Sequence, residues 1–310
     1  MANSPRLYIN INGDIHPASE ARISPLDHGF LYGDSVYETV RTFFGRSFLL
    51  GRHLDRLQRS LDRVFLSLPL SRRDLESEIL RTIEQVPIED DVGARIVVSR
   101  GEGPIGLDIS CCRSPTFLIY VFELDPSIRP IFAPLGQGVG VVISKTRRNS
   151  PRALDPSIKS GNFLNNIFAY KDARDAGAHE AILCSSEGYI AEGTTSNVFV
   201  VKDGFVWSPH SYGILDGITR AIVFEEAEKA GIPAGETNIP PEALFSADEV
   251  FLTSSIKGIV PVTTVNGRRV GGRVPAATSG SGLPRGVTQR LAELYDARVE
   301  AECPPKLQKT

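Results

Sequence analysis

Apolar and polar positions alternate in short runs along the first third of the chain. They predict strands at 7–12, 37–43, 95–99 and 116–122, with helices at 53–65 and 72–85. Within the first of those helices Leu54, Leu57 and Leu61 form the apolar stripe, and the basic residues around them read as a separate, solvated face. Further on, strand patterns fall at 139–144, 180–184, 197–201, 249–253 and 259–265, and helical ones at 162–175, 218–230 and 285–298. Asn12-Gly13, Asp203-Gly204 and Asn266-Gly267 sit between apolar or β-branched runs, as two-residue hairpins require. Three prolines, Pro126, Pro130 and Pro134, interrupt any regular element at the segment 125–134. The expected organisation is an α/β (α+β) chain with a small N-terminal domain at 1–124, a linker at 125–134 and a larger strand-rich domain at 135–310. The small, polar composition of 276–282 reads as a surface loop before the last helix.

Composition narrows the classes. The chain has 310 residues, 41% of them hydrophobic and 23% charged, which suffices for a substantial core. A formal net charge of -3 carries no general nucleic-acid footprint. The longest strongly apolar run, 117–122, is too short to cross a bilayer, and the N-terminus lacks the apolar core of a signal peptide, so the expected location is cytoplasmic. Adjacent Cys111 and Cys112 with isolated Cys184 and Cys303 make neither a zinc pattern nor a disulfide framework, and no metal is expected.

Lysine is scarce and absent before Lys145, which restricts any lysine-dependent chemistry to a few candidates. Lys306 and Lys309 lie in a polar tail, Lys202 sits in a turn before Asp203-Gly204, Lys171 and Lys229 belong to charged helix faces, and Lys145 and Lys257 could approach a cleft. Lys159 differs because Ile158 and Phe163 flank it with apolar surface. There a lysine would be desolvated and its pKa lowered, although an ordinary lysine at a helix start fits the same residues. Glu192-Gly193 followed by Thr194, Thr195 and Ser196 reads as a loop able to hold a polar ligand or as a simple turn. Gly217, Ile218 and Thr219 open a helix whose free amides suit a phosphate, with Asp216 the expected cap in the plainer reading.

These pieces occur in one order that resembles the fold-type IV pyridoxal-phosphate aminotransferases, a family that includes branched-chain and D-amino-acid aminotransferases and aminodeoxychorismate lyase. The similarity spans about 7–298 and rests on six segments. These are Asp27-His28-Gly29 through Tyr37-Glu38, Arg52-His53-Leu54-Asp55-Arg56-Leu57, the Lys159 segment, Glu192-Gly193 with Asn197-Val198-Phe199, Gly217-Ile218-Thr219-Arg220, and Ala247-Asp248-Glu249-Val250-Phe251-Leu252-Thr253. The resemblance implies two α/β domains with pyridoxal 5'-phosphate between them. It implies Lys159 as the Schiff-base lysine and proton carrier, and Glu192 as partner of the pyridinium nitrogen. Arg56, Ile218, Thr219 and Ser255 would hold the phosphate, with Ser196, Asn197, Gly217 and Ser254 also on the cofactor side. Tyr32, Tyr37, Thr39, Arg41, Arg95 and Ile256 would face the substrate, Arg95 or Arg41 taking the α-carboxylate. Homodimers are usual in the family, and here the loop at 103–110 would reach a neighbouring subunit. The run from Arg95 to Asp108 is similar to short prokaryotic branched-chain aminotransferases, which implies an L-amino-acid donor, a 2-oxo-acid acceptor and transamination. Gly93-Ala94-Arg95 replaces the family's Tyr-x-Arg, Phe163 replaces a tyrosine, and Ile105-Gly106-Leu107 lacks the Arg-x-His of D-amino-acid enzymes. D-amino-acid or (R)-amine transamination and the lyase reaction are the alternatives.

Overall fold

The computed structural model describes residues 6–68, 70–128, 136, 138–271 and 286–305. Most of the expected linker, the expected loop at 276–282 and Lys306 and Lys309 lie outside the described residues. The chain divides into two compact units. The first comprises Met1–Ile128, Ile158–Asn162 and Val299–Thr310, and the second Arg129–Ser157 and Phe163–Arg298.

The elements of the first unit are β1 (Leu7–Ile11), β2 (Asp14–Pro17), α1 (His28–Tyr32), β3 (Ser35–Phe43), β4 (Arg46–Ser47), α2 (Leu50–Arg63), α3 (Arg72–Gln85), β5 (Val92–Ser99) and β6 (Thr116–Glu123). Its six strands form one antiparallel sheet in the order β2-β1-β6-β5-β3-β4. One sheet face carries Val36, Val40, Ala94, Ile96, Val98, Ile119 and Val121, which pack against Leu54, Leu57 and Leu61 of α2 and Leu75 and Ile79 of α3. The opposite face of β3 presents Tyr37 and Thr39, because successive side chains of a strand point to opposite sides. The stretch around Lys159 joins this sheet directly: Val36 and Ser160 form an antiparallel bridge.

The second unit contains β7 (Val139–Arg147), α4 (Leu164–Asp175), β8 (Glu180–Cys184), β9 (Ile190–Gly193), β10 (Asn197–Lys202), β11 (Phe205–Ser208), α5 (Ile218–Lys229), β12 (Ala234–Glu236), α6 (Ala243–Ser246), β13 (Glu249–Ser254), β14 (Gly258–Val265) and β15 (Arg268–Arg269). Its nine-stranded mixed sheet runs β12-β11-β10-β13-β14-β7-β8-β9, with β15 on β14. The last helix, α7 (Val287–Glu302), begins in this unit. Val198, Val200, Val250 and Leu252 enter one core cluster. Their neighbours Phe199 and Phe251 stack at 4.8 Å on the other side, where Phe224 of α5 meets Phe199. All three expected hairpins are present, with positive φ at Asn12, Asp203 and Asn266.

Four local expectations change. Lys159 is not at a helix start: α4 begins at Leu164, and Lys159 lies in extended chain. Glu192 and Gly193 belong to β9 rather than to a loop, because both pair with β8. The N-cap of α5 is Gly217, not Asp216. Lys202 ends β10 instead of sitting in the turn at Asp203-Gly204, and its ammonium pairs with Asp248. No helix among the described residues is long and apolar enough to cross a membrane.

Leu57 is fully buried where α2 meets the sheet. Leu57→Ala should therefore lower stability by about 2–5 kcal/mol, read as a lower urea midpoint; an unchanged midpoint would show that the α2–sheet contact does not hold the first unit together.

Candidate active site

In the first unit the extended segment at Lys159 is fixed on two sides. Its carbonyl accepts the Tyr37 N–H at 2.9 Å, and its own N–H donates to Ser60 Oγ of α2 at 3.2 Å. The Lys159 ammonium lies 4.6 Å from the centre of the Tyr37 ring, and the Arg95 guanidinium 4.8 Å from that same ring. Arg95 also reaches Thr39 Oγ1 at 3.4 Å. Thus Tyr37, Thr39, Arg95 and Lys159, four residues singled out in the sequence, share one face of β3 and β5. Arg41 stands farther along β3, its guanidinium 4.4 Å from the Phe43 ring. Opposite it in β5 is Gly93, where a Cβ would fall 2.3 Å from the Phe122 ring; Phe122 thus fills the space that a side chain at 93 would take. Tyr32 is held elsewhere in this unit, edge-on to His28, and its hydroxyl accepts the Gly106 N–H at 3.0 Å.

The basic residues of α2 divide: Arg59 and Arg63 are exposed, as a solvated face requires, and two others are not. His53 and Arg56 are buried, and both turn toward Glu38 on the core side of β3. Arg56 Nε and Nη2 donate to the two Glu38 oxygens at 2.6 and 2.8 Å, and His53 Nδ1 lies 2.7 Å from Oε2. Burial alone would raise the Glu38 pKa, but the Arg56 charge and the hydrogen bonds from Arg56 and His53 win and hold it far below the carboxylate range. His53 moves the other way from its partner's pull: loss of solvent lowers its pKa, and neutral imidazole donates to the carboxylate.

In the second unit Glu192 is buried at the end of β9. Arg148 Nε donates to its Oε1 at 2.6 Å and the Leu215 N–H to its Oε2 at 2.9 Å. Asn197 holds the same approach to α5 by donating to the Leu215 carbonyl at 2.9 Å. A Cβ on Gly217 would fall 2.0 Å from Asn197 Oδ1, so only glycine lets the two segments of this corner close. No side chain caps α5, and the N–H groups of its first turn, with Ile218 and Thr219 among them, have no intrahelical acceptor. Ser196 Oγ donates to Glu180 at 3.1 Å, and Thr194 Oγ1 and the Thr195 N–H donate to that same buried carboxylate. Ser255 and Ile256 form the turn between β13 and β14, and Ser254 Oγ accepts the Lys257 N–H there.

The structure therefore groups Lys159, Tyr37, Thr39 and Arg95, with Arg56 on the opposite side of β3, and separately groups Glu192, Asn197, Gly217, Ile218 and Thr219. Four polar residues that the sequence reading did not single out organise these groups: Glu38, His53, Arg148 and Glu180. Glu38 had a signal, since it occupies the apolar phase between Val36 and Val40. Arg148 had none, because its partner lies forty-four positions away and in another element. Among the other lysines, Lys171 and Lys229 pair with Asp175 and Glu226 at the surface, and Lys257 approaches His179 Nε2 at 2.8 Å. The described residues contain no cluster able to hold a metal ion.

The chain belongs to the class IV aminotransferases: the Amino-transferase class IV family model matches residues 35–265. A putative branched-chain-amino-acid aminotransferase of Methanocaldococcus jannaschii is 36% identical over 84% of this chain and 88% of its own length. An aminodeoxychorismate lyase of Bacillus subtilis is 33% identical over 87% of this chain and 91% of its own. A D-alanine aminotransferase of Bacillus licheniformis is 33% identical over 85% and 90%. The solved branched-chain aminotransferase of Thermoproteus uzoniensis with norvaline superposes with a TM-score of 0.84 at 28% identity, covering 96% of this chain and 96% of that one. Another solved branched-chain amino acid aminotransferase, with pyridoxamine 5'-phosphate, superposes with a TM-score of 0.84 at 26% identity, covering 97% and 95%. The mixed α/β architecture is that of the fold-type IV enzymes, and pyridoxal 5'-phosphate is the cofactor.

At Glu38 and His53 the folded chain binds fewer protons than the unfolded one, so stability should fall on acidification. The loss begins as pH drops through the ordinary histidine value of 6.5 and deepens through and below the carboxylate value of 4.5. Urea unfolding across pH 8 to 4 should show this acid limb flattened in a Glu38→Gln/His53→Gln variant; an unaltered limb would assign the acid sensitivity to other groups.

Proposed function

We propose that the chain is a transaminase that exchanges an amino group between branched-chain-like L-amino acids and a 2-oxo acid, 2-oxoglutarate being the expected acceptor. The observation that carries this reading is the setting of Lys159: a lysine whose backbone is clamped by β3 and α2 and whose ammonium lies against Tyr37.

The donor chemistry suits the cofactor. An uncapped helix start with first-turn amides, at Ile218 and Thr219, fits a phosphate, as does the Arg56 guanidinium, and an arginine-paired carboxylate, Glu192, fits a protonated ring nitrogen. When bound, pyridoxal 5'-phosphate supplies an aldehyde that takes up an amine and a ring that accepts electron density. Lys159 holds the aldehyde covalently and carries the proton to and from the substrate Cα. Glu192 would keep the ring nitrogen protonated, and Arg148, donating to Oε1, holds the Glu192 carboxylate in place. Ser255 and Ser254 in the β13–β14 turn, with Ser196 and Asn197, complete the cofactor side. Tyr37, Thr39 and Arg95 receive the substrate, with Arg95 or Arg41 on its α-carboxylate, while Ile256 limits the room beside it and Tyr32 borders it.

A homodimer belongs to this proposal. Ile105 and Leu107 are 82% and 83% exposed on the loop that Tyr32 and His28 anchor, beside exposed Phe30 and Leu26, and an apolar surface of this kind favours a second copy. A cytoplasmic location agrees with four cysteines in the free form, two of them buried. The lysine and the carboxylate serve the alternative reactions equally well, so substrate tests decide among them.

Mixing the purified holoenzyme separately with L-leucine, L-glutamate, D-alanine, D-glutamate and (R)-1-phenylethylamine should convert the cofactor to pyridoxamine phosphate with the L-amino acids alone. Conversion by the D-compounds or the amine would reverse the assignment, and release of pyruvate from aminodeoxychorismate with no amino acceptor would make the chain a lyase. Lys159→Ala should abolish the visible absorbance of the bound cofactor and its borohydride-trapped mass; retention of either would move the covalent link to another lysine.

A further inference from the structure

The Glu38 carboxylate is wholly buried, and its shortest contacts come from Arg56 and from the helix that carries it, beside a longer one from the Thr39 N–H at 3.3 Å. It takes the Nε–Nη2 edge of the guanidinium with both oxygens, at 2.6 and 2.8 Å, and a third donor, His53 Nδ1, at 2.7 Å. A two-point contact of this kind fixes the plane of a guanidinium and its rotation, not only its distance. The same three residues lock α2 onto β3. Four residues beyond Arg56, Ser60 takes the Lys159 N–H, and next to Glu38, the Tyr37 N–H takes the Lys159 carbonyl. A shift of α2 along β3 would therefore move Arg56 and strain both ends of the Lys159 clamp together.

We infer that Glu38 is a positioning residue for the cofactor phosphate: seated against His53 and Arg56, it fixes the plane and rotation in which the Arg56 guanidinium meets the phosphate. This rests on the assignment of Arg56 to that phosphate under the proposed function. His53 supports it by holding Oε2 in place. Neutral glutamine at position 38 presents an N–H₂ where an oxygen stood, so one donor must face a guanidinium that is also a donor, and the fork opens. Removal of a competing anion could instead strengthen the arginine's pull on phosphate, which makes the sign of the effect decisive.

The test compares the affinity of the apoprotein for pyridoxal 5'-phosphate with that for pyridoxal, which lacks the phosphate. The variants are Glu38→Gln, Glu38→Asp, His53→Asn and Arg56→Ala, and the phosphorus NMR shift of each reconstituted holoenzyme is recorded. Glu38→Gln should reduce the preference for the phosphorylated form by about 10-fold or more, the worth of a hydrogen bond to a charged group, and move the phosphorus resonance, with pyridoxal affinity retained. Glu38→Asp, which keeps the charge and withdraws it by one methylene, should lose less, and His53→Asn less again. Equal losses for both ligands, or a preference that holds or rises in Glu38→Gln while Arg56→Ala abolishes it, would overturn the positioning role and leave Arg56 its own. A preference that survives Arg56→Ala would overturn the phosphate assignment itself. Should Glu38→Gln fail to fold, the order of Glu38→Asp and His53→Asn against the wild type decides: no change in their preference refutes the inference.

Discussion

A single ionised carboxylate with no access to water, Glu38, sets the terms for the first unit. An unpaired charge at that depth is unfavourable by several kcal/mol, so the sheet tolerates it only because α2 delivers two donors one turn apart, His53 and Arg56. The pairing is therefore both a requirement and a register mark. Helix α2 can slide on β3 by one turn and still bury leucines, since Leu50, Leu54, Leu57 and Leu61 repeat along it. Sliding would break the contacts that His53 and Arg56 together make with Glu38. Apolar packing supplies the attraction, and the ion pair selects one position among the near-equivalent ones. Lys159 inherits that selection, because Ser60 on the helix and Tyr37 on the strand hold its backbone.

The second unit works on the same principle with different donors. Glu180 is the first residue of an otherwise apolar strand, and it gathers Thr194, Thr195 and Ser196, folding the turn between β9 and β10 around one buried carboxylate. Glu192 gathers Arg148 and the Leu215 N–H and so ties β7's end and the approach to α5 to one point. Neither contact is a surface ion pair of negligible worth; each removes a carboxylate from water and replaces its hydration with fixed donors. Such donors need no rearrangement when charge develops nearby, which is the property an acid–base site requires.

Class IV aminotransferases are thus built here from loops and strand ends organised by buried carboxylates, while the apolar clusters carry the mass of the fold. Ile105 and Leu107 on the 103–110 loop are exposed and can change with little effect on either core, whereas Gly93 is closed in by Phe122.

Much of the architecture was legible in the amino-acid order because it follows from local periodicity. Helix α3 falls at 72–85 as read, Glu180–Cys184 is a strand as read, and the Asn-Gly and Asp-Gly pairs make their hairpins, since these choices depend on side-chain alternation and on backbone conformations open to few residues. Short elements such as β2, β9 and β12 were not legible, because runs of 4, 4 and 3 residues are too short to show an alternation of their own, and β12 in addition pairs with β11 across the intervening helix α5. The order and identity of the motifs also carried the family, and with it the cofactor and the candidate residues. Only the tertiary structure decided what those residues touch. His53 and Arg56 of α2 read with their neighbours as solvated charges, and only the fold brings a carboxylate from β3 to meet them. Lys159 read as a helix start until its backbone was found bridged to β3, and Glu192 read as a turn until Arg148 and Leu215 closed on it. The sequence determines which groups can ionise and where the chain turns; burial and partnership, which fix what an ionised group can do, arise only when residues far apart in the chain exclude water from one another.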